Sequence, residues 1–293
     1  MYATGIALSF VAMLCWGFGD FLIQKSARKI GDWETLFIIT FVGTIILLPF
    51  VGGSFGQLFS SGDNLTWSIL VGAALVMFVA ALFDFEALRI GKITVVEPIW
   101  STEVVASALL AFIVIGEELG LAQIILILAL ISGLVVVSMK ERDHLKLKHF
   151  FVEKGVVLAF IAAMTMGVAN FLIGWGSRIA DPILSNFFVN VIITVLTGSY
   201  LLWHKKMGKL IRDVKESPNL LTTMAISDNV AWIAFAYAMS LAPIGIAVAL
   251  SESYIIVAVL LGFMVSKERL QRHQKLGIVW AICAAVILSV ITA

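Results

Sequence analysis

Long apolar runs alternate with short polar segments along the whole chain. A helix needs about 20 mostly apolar residues to cross a bilayer. Short pieces such as Gly52-Gly53-Ser54 and Ala242-Pro243 separate the apolar runs. The pattern therefore predicts an all-α membrane protein with ten spans, which we number 1 to 10: 2–24, 34–52, 66–88, 93–115, 119–139, 155–177, 183–203, 219–241, 244–265 and 275–292.

Composition agrees with this class. Charged residues make up 13% of the chain, against roughly 25% in soluble proteins. The net charge of +1 leaves no basic excess, so we expect no nucleic-acid partner. The first span lacks a basic region before it and a small-residue cleavage site, so we expect it to be retained. The four histidines all fall in predicted loops, at spacings that match no metal site. We expect neither a cofactor nor a bound metal.

The basic residues predict the direction of the chain across the membrane. Nineteen of the 20 lysines and arginines fall in the loops after spans 1, 3, 5, 7 and 9, and Arg178 alone falls on the other side. Basic loops stay in the cytoplasm. Both termini are therefore predicted to be extracytoplasmic, in a multi-pass protein of the cell (plasma) membrane.

The two halves of the sequence resemble each other. Residues 5–28 align without gaps to 155–178, and residues 87–123 align to 238–274. Identical pairs include Gly17 with Gly167, Arg28 with Arg178 and Glu117 with Glu268. Each half has an odd number of spans, so the second half enters from the opposite face. This predicts two inverted five-helix repeats, 1–139 and 155–293, joined by a cytoplasmic linker at 140–154. Such repeats are a transporter architecture with the solute site near the midplane.

Acidic residues inside the predicted spans are the strongest functional signal. A charge at the bilayer centre costs about 2.5–3.5 kcal/mol on insertion scales, so these acids should face the bundle interior, be partly protonated, or meet water or a cation. Glu103, Asp228 and Glu252 are closest to the midplane, and we predict that they bind substrate or couple transport. Glu103 and the run from Glu252 to Tyr254 hold equivalent repeat positions, so we expect them to lie near each other. The structural alternative is hydrogen bonding between helices by protonated acids. The full set is Asp20, Asp84, Glu86, Glu97, Glu103, Asp228 and Glu252.

Further candidates surround these acids. Glu97 precedes Pro98, which removes a helix hydrogen bond and marks a kink beside a carboxylate. Trp100 shares a helix face with Glu103. Asp20 and its repeat partner Asn170 are candidates for gating or for helix packing, as is Pro98. If the solute is neutral or anionic, Trp100, Asn190 and Tyr254 are the residues that we expect to contact it.

Several short motifs recur in both halves in the same order. The first half has Trp16-Gly17 followed by Phe21 and Lys25, which Gly167 and Phe171 echo. Ala87-Leu88-Arg89 ends the third span. The turn after the fourth span, Gly116-Glu117-Glu118-Leu119, recurs as Lys267-Glu268-Arg269-Leu270.

With these motifs, essentially the whole chain resembles the EamA-type ten-helix transporters of the drug/metabolite transporter superfamily. The resemblance implies helices 1–4 and 6–9 around a central cavity, alternating access, and export or exchange of metabolites, amino acids or drugs. A Glu-Pro pair common in the fourth helix of the family is absent at Glu103-Val104, while Glu97-Pro98 lies six residues earlier.

The sequence predicts a secondary transporter, not an enzyme. An acidic interior without compensating bases suits a small polar or cationic solute, proton coupling, or both. Spans 5 and 10 lack interior charge, so they are candidates for the periphery and for a homodimer contact. One alternative is an intramembrane aspartyl protease, because Gly17-Phe18-Gly19-Asp20 spells a motif of that class with Asp84 as a possible partner. The other is a membrane receptor or structural subunit.

Overall fold

A computed structural model describes residues 1–90, 99–138, 154–257, 260 and 271–293. Regular structure in that part is helical, and no strand occurs there. We number the helices in chain order: α1 Tyr2–Ile30, α2 Asp32–Leu47, α3 Gly52–Ser61, α4 Asn64–Ile90, α5 Thr102–Ile115, α6 Leu121–Ser138, α7 Lys154–Ile179, α8 Pro182–Trp203, α9 Met207–Glu216, α10 Pro218–Leu241, α11 Ile244–Ser251 and α12 Arg272–Thr292.

Seven of these helices are long and apolar enough to cross a membrane. They are α1, α2 with its short 3₁₀ extension, α4, α7, α8, α10 and α12, and they coincide with predicted spans 1–3, 6–8 and 10. The counterparts of spans 4, 5 and 9 are shorter apolar helices, at Thr102–Ile115, Leu121–Val137 and Ile244–Val257. The predicted class, an all-α membrane protein, is confirmed, and the count of ten spans stays a prediction.

Two segments predicted as loops are helices. Gly52–Ser61 forms α3, whose Phe55 and Leu58 pack against the ends of α2 and α8. Met207–Glu216 forms α9, in which Leu210 is buried and Lys209, Arg212, Lys215 and Glu216 are exposed. Both are amphipathic rather than apolar, and a search for spans of about 20 apolar residues does not detect such helices. In addition, α1 continues to Ile30, six residues beyond its predicted end.

Helices α6 and α12 pack on each other and run antiparallel. Gln123, at the start of α6, donates from Nε2 to Thr292 Oγ1 at the end of α12 (3.2 Å). Gln274, at the start of α12, donates to the carbonyl of Val137 at the end of α6 (3.1 Å). The two glutamines are equivalent in the repeat, so the helices that carry them are related by inversion of direction. Both helices expose large apolar side chains outward, among them Leu121, Leu276 and Val290. A homodimer through these faces stays a prediction.

Helices α1 and α7 each cross a segment of the other half at close range, and the two crossings are equivalent in the repeat. A Cβ atom built on Gly17 would lie 2.5 Å from Val257 Cβ and 3.2 Å from the Tyr254 carbonyl oxygen. On Gly167, the repeat partner, it would lie 2.5 Å from Ala106 Cβ and 2.8 Å from the Glu103 carbonyl oxygen. The contacted residues are themselves repeat partners, Val257 with Ala106 and Tyr254 with Glu103. Each glycine thus lets a helix of one half pack closely on a helix of the other.

Candidate functional site

The candidate site lies where α5 and the end of α11 meet, at two matched irregularities of the backbone. Ser101, just before α5, has ψ −16°, and Glu252, just after α11, has ψ −14°. A regular α-helix has ψ near −42°. Beyond Glu252 the backbone bonds span three residues, as in Ile256 N to Ser253 O (2.9 Å). Ser101 and Glu252 are equivalent in the repeat, and such interruptions within a membrane are found at functional sites.

Two carboxyl groups and one amide meet beside these irregularities. Glu103 and Glu252 are 6% and 5% exposed, and their carboxyl groups lie within hydrogen-bonding reach of each other. Asn170 on α7 donates from Nδ2 to Glu103 Oε1 (3.0 Å). Two carboxyl oxygens can form a hydrogen bond only if a proton lies between them. The group is therefore built to hold at least one proton.

Two further acids act on this pair. Asp84 on α4 interacts electrostatically with both Glu103 and Glu252. Asp20 on α1 interacts with Glu252. Basic residues of α5 and α11 are absent from the sequence, and those of α4 and α7 lie only near the helix ends. The negative charge that Glu103, Glu252 and Asp84 can develop is therefore not balanced by a neighbouring Lys or Arg from those helices.

The structure thus brings together Glu103, Glu252, Asn170, Asp84 and Asp20, as the repeat predicts for the first two. Tyr254 is buried and its carbonyl faces Gly17, as that of Glu103 faces Gly167. Asn170 was predicted as a gating or packing residue, and its hydrogen bond places it at the carboxyl pair. Glu97 and Pro98 lie outside the described residues. Among those described, no group of three or more His, Cys, Asp or Glu side chains could hold a metal ion.

Trp100 packs beside this group rather than on it. Its side chain is buried with Ala87, Ala159 and Ala163. Its indole Nε1 has no hydrogen-bond partner among the described residues. A buried donor without a partner costs free energy. This donor lies within one helical turn of Glu103.

Asp228 forms a second, separate polar site. Its carboxyl group, 6% exposed, accepts hydrogen bonds from the side chains of Trp16 and Trp232. These two rings meet edge to face with centroids 5.0 Å apart. Phe235 packs against Trp16 in the same way, at 4.9 Å. Asp228 therefore joins α1 to α10 through two indole donors.

Asn190 belongs to a junction of α2, α8 and α10. It donates to Asn229 Oδ1 (3.3 Å), and Asn229 donates to the carbonyl of Ile39 (3.0 Å). Gly43 faces both amides so closely that any side chain there would overlap them. Hydrogen bonds of this kind hold membrane helices together, so the contacts of Asn190 fit helix packing.

Arg178 links both halves at the end of α7 and was not among the predicted site residues. Its guanidinium pairs with Glu117 (2.8 Å) and donates to the carbonyls of Met239 and Ala242 at the end of α10, each at 2.8 Å. Gly116, with φ 67°, ends α5 and turns Glu117 toward the arginine. The sequence signal was present: Arg178 is the single basic residue outside the basic loops and repeats Arg28.

The described fold and its buried acids define a polytopic helical membrane protein with a charged interior. The profile of the EamA-like transporter family matches residues 3–139 and again residues 153–290. The chain therefore belongs to the EamA-like transporter family, whose members have a two-repeat membrane fold, as its sequence motifs suggest.

A solved crystal structure of a protein is similar to this chain: the match covers 98% of this chain and 97% of the other, with a TM-score of 0.72 and 13% sequence identity. At that identity the likeness shows the fold alone. A comparison with curated protein sequences finds no match.

Proposed function

We propose that this protein is a secondary transporter that moves a small polar or cationic metabolite, such as an amino acid, an amine or a drug-like solute, across the cell membrane. Ten spans in two inverted five-helix repeats would alternate access to a site between them. Transport would be export or exchange with proton coupling at the site, and both termini would lie outside the cell. Membership of the EamA-like family supports transport as the activity.

The observation that carries the proposal is the contact between Glu103 and Glu252. One carboxyl group comes from each half of the chain, at the meeting point of the two backbone irregularities. A rearrangement of the halves would change the distance between the carboxyl groups, and with it how tightly they hold a proton. A cationic solute and a proton would then compete for the same oxygens, which is the basis of exchange.

Asn170 and the inter-repeat ion pair fit the same mechanism. Asn170 would hold the Glu103 side chain of the pair in place through its hydrogen bond to Oε1. The pair between Arg178 and Glu117 lies at the predicted extracytoplasmic ends of the helices. There it would hold the outer side closed while the ion pair is formed and let that side open when the ion pair breaks.

The protease alternative is less favoured by the contacts of its motif. Gly17 packs against Tyr254 and Val257, as Gly167 packs against the equivalent residues of the other half. Gly167 is followed by Asn170, not by an acid, at the position of Asp20. The shared contact favours helix packing as the reason for the glycine.

The first experiment identifies a solute and then tests the pair. A thermal-shift screen of the purified protein with amino acids, polyamines, quaternary amines, sugars and nucleosides detects ligands that bind the folded state. Transport of each hit is then measured in proteoliposomes with and without a pH gradient. We expect Glu103→Gln to abolish gradient-driven transport, because glutamine keeps the hydrogen bond from Asn170 but cannot exchange a proton.

Glu118→Gln is the matched control, since Glu118 is exposed in the turn after α5. It should transport like the wild type. Wild-type rates in Glu103→Gln at every pH from mildly acidic to mildly alkaline would remove the pair from the mechanism. Failure of all tested solutes to move in the wild-type protein, despite a correct melting transition, would count against transport itself.

A further inference from the structure

The amide of Asn170 has one end in use and the other free. Its Nδ2 donates to Glu103 Oε1, while its Oδ1, in a side chain 2% exposed, has no hydrogen-bond partner among the described residues. The orientation of the amide follows from the carboxyl pair: the proton of the pair lies between Glu103 and Glu252, so the Glu103 oxygen that faces Asn170 accepts and takes the NH₂ end of the amide. Since Oδ1 and Nδ2 share a carbon, the free acceptor lies beside the Glu103 carboxyl group.

The groups that converge there are nearly all acceptors. Glu103, Glu252 and Asp84 supply carboxyl oxygens that act on one another, and Asn170 adds a carbonyl oxygen. The donors among these side chains are already in use: Asn170 Nδ2 is bonded to Glu103 Oε1, and the proton of the carboxyl pair lies between Glu103 and Glu252. A buried acceptor without a donor is costly. The site is therefore incomplete until a ligand brings hydrogen-bond donors and positive charge together.

We propose that this site recognises an ammonium group that carries N–H bonds, that is, a primary or secondary amine, in preference to a quaternary ammonium. The proposal rests on the function proposed above and names its substrate class. An R–NH₃⁺ group offers three donors in a compact cation, which matches Asn170 Oδ1 and two carboxyl oxygens. A quaternary ammonium offers none and would leave Asn170 Oδ1 unpaired.

The packing of one aromatic group points the same way. Quaternary ammonium groups are held over the faces of aromatic rings. The aromatic group formed by Trp16, Trp232 and Phe235 is instead packed on itself, edge to face, and its two indoles are bonded to Asp228. Those rings thus stabilise the contact of α1 with α10, and selection at Glu103 depends on hydrogen bonding.

The test compares matched solutes on the wild-type protein. Butylamine and putrescine are set against their N-trimethylated counterparts, of equal chain length and charge, in the thermal-shift assay and as competitors of transport. We expect the amines to half-saturate at a concentration at least about 10-fold lower, because each lost charge-assisted hydrogen bond weakens binding by that order. Sodium and potassium chloride at equal ionic strength test whether a bare cation suffices.

Asn170→Leu then tests the residue itself. The variant should raise the half-saturating concentration of the amines and leave that of the quaternary compounds unchanged, so that the ratio falls toward one. Equal or tighter binding of the quaternary compounds by the wild type would overturn the proposal, as would an equal response to sodium or potassium. Transport confined to non-amine solutes would also overturn it while leaving the transporter function intact. The wild-type comparison decides even if Asn170→Leu does not fold.

Discussion

Alanine at Gly17 or Gly167 should force apart the helix crossings that bring the two halves together. The new Cβ would lie 2.5 Å from Val257 Cβ in the first variant and 2.5 Å from Ala106 Cβ in the second. Carbon atoms pack at about 3.5–4.0 Å, so each crossing must widen by about 1 Å or more. Apart from Val257 Cγ1, the contacted atoms are Cβ and backbone atoms, which cannot rotate away. The backbone itself has to move.

The expected loss follows from two opposing terms. Overpacking costs about 1–3 kcal/mol, while replacing glycine by alanine inside a helix gains about 1 kcal/mol. Gly72→Ala is the matched control, because Gly72 lies within α4 with no atom within 4 Å of its added Cβ. This control variant gains helix stability without the overpacking. The crossing variants and the control should therefore differ by about 1–3 kcal/mol, which is the overpacking term alone.

Thermal unfolding of the purified variants in one detergent measures this difference. Gly17→Ala and Gly167→Ala should both melt below the wild type or close to it, and clearly below Gly72→Ala. Since Gly167 contacts the backbone of Glu103, its variant should also transport less per folded molecule. If both crossing variants melt together with Gly72→Ala, the crossings are not as close as described, and the inverted arrangement built on them loses its support.

Two further predictions concern contacts away from the carboxyl pair. Arg178→Gln should lower the melting temperature more than Glu117→Gln, because the arginine loses two bonds to α10 carbonyls as well as the ion pair. Lys209→Gln, in an exposed position of α9, should change nothing, and an Arg178→Gln that melts like it would contradict the link. Trp16→Phe should cost about 1.5–3 kcal/mol by removing a donor to the buried Asp228. Trp203→Phe, at an exposed helix end, is its control in the same unfolding assay, and equal melting of the two would show that the indole bond contributes nothing.

Much of the site was predictable from the repeat. Glu103 and the run from Glu252 to Tyr254 share equivalent positions, and an inverted two-fold places such positions next to each other. The structure brings Glu103 and Glu252 together as expected. Asp228 was ranked with them because of its depth in the membrane. Depth along a helix does not fix the direction of a side chain, and Asp228 accepts hydrogen bonds from two indoles at the α1–α10 contact. Its part in binding or coupling stays a prediction.

Other features had weaker signals in the chain. Nothing in the sequence indicated that Asn170 would bond Glu103, because a single amide in an apolar run is compatible with many partners. The helices α3 and α9 are too short and too polar for a search that looks for membrane spans. Arg178 stood out as a lone basic residue, but its partners come from α5 and α10, which the sequence alone does not place beside α7.

The sequence by itself determined the class of protein, its predicted spans, its predicted direction and the internal repeat. These depend on the cost of exposing polar backbone and charge to lipid, which acts on each segment separately and is written in local composition. Only the tertiary structure decided which acids meet, which amide serves them and which arginine joins the halves. Those contacts depend on how helices rotate and cross. Packing of side chains from distant parts of the chain sets that geometry, as at Gly17 and Gly167.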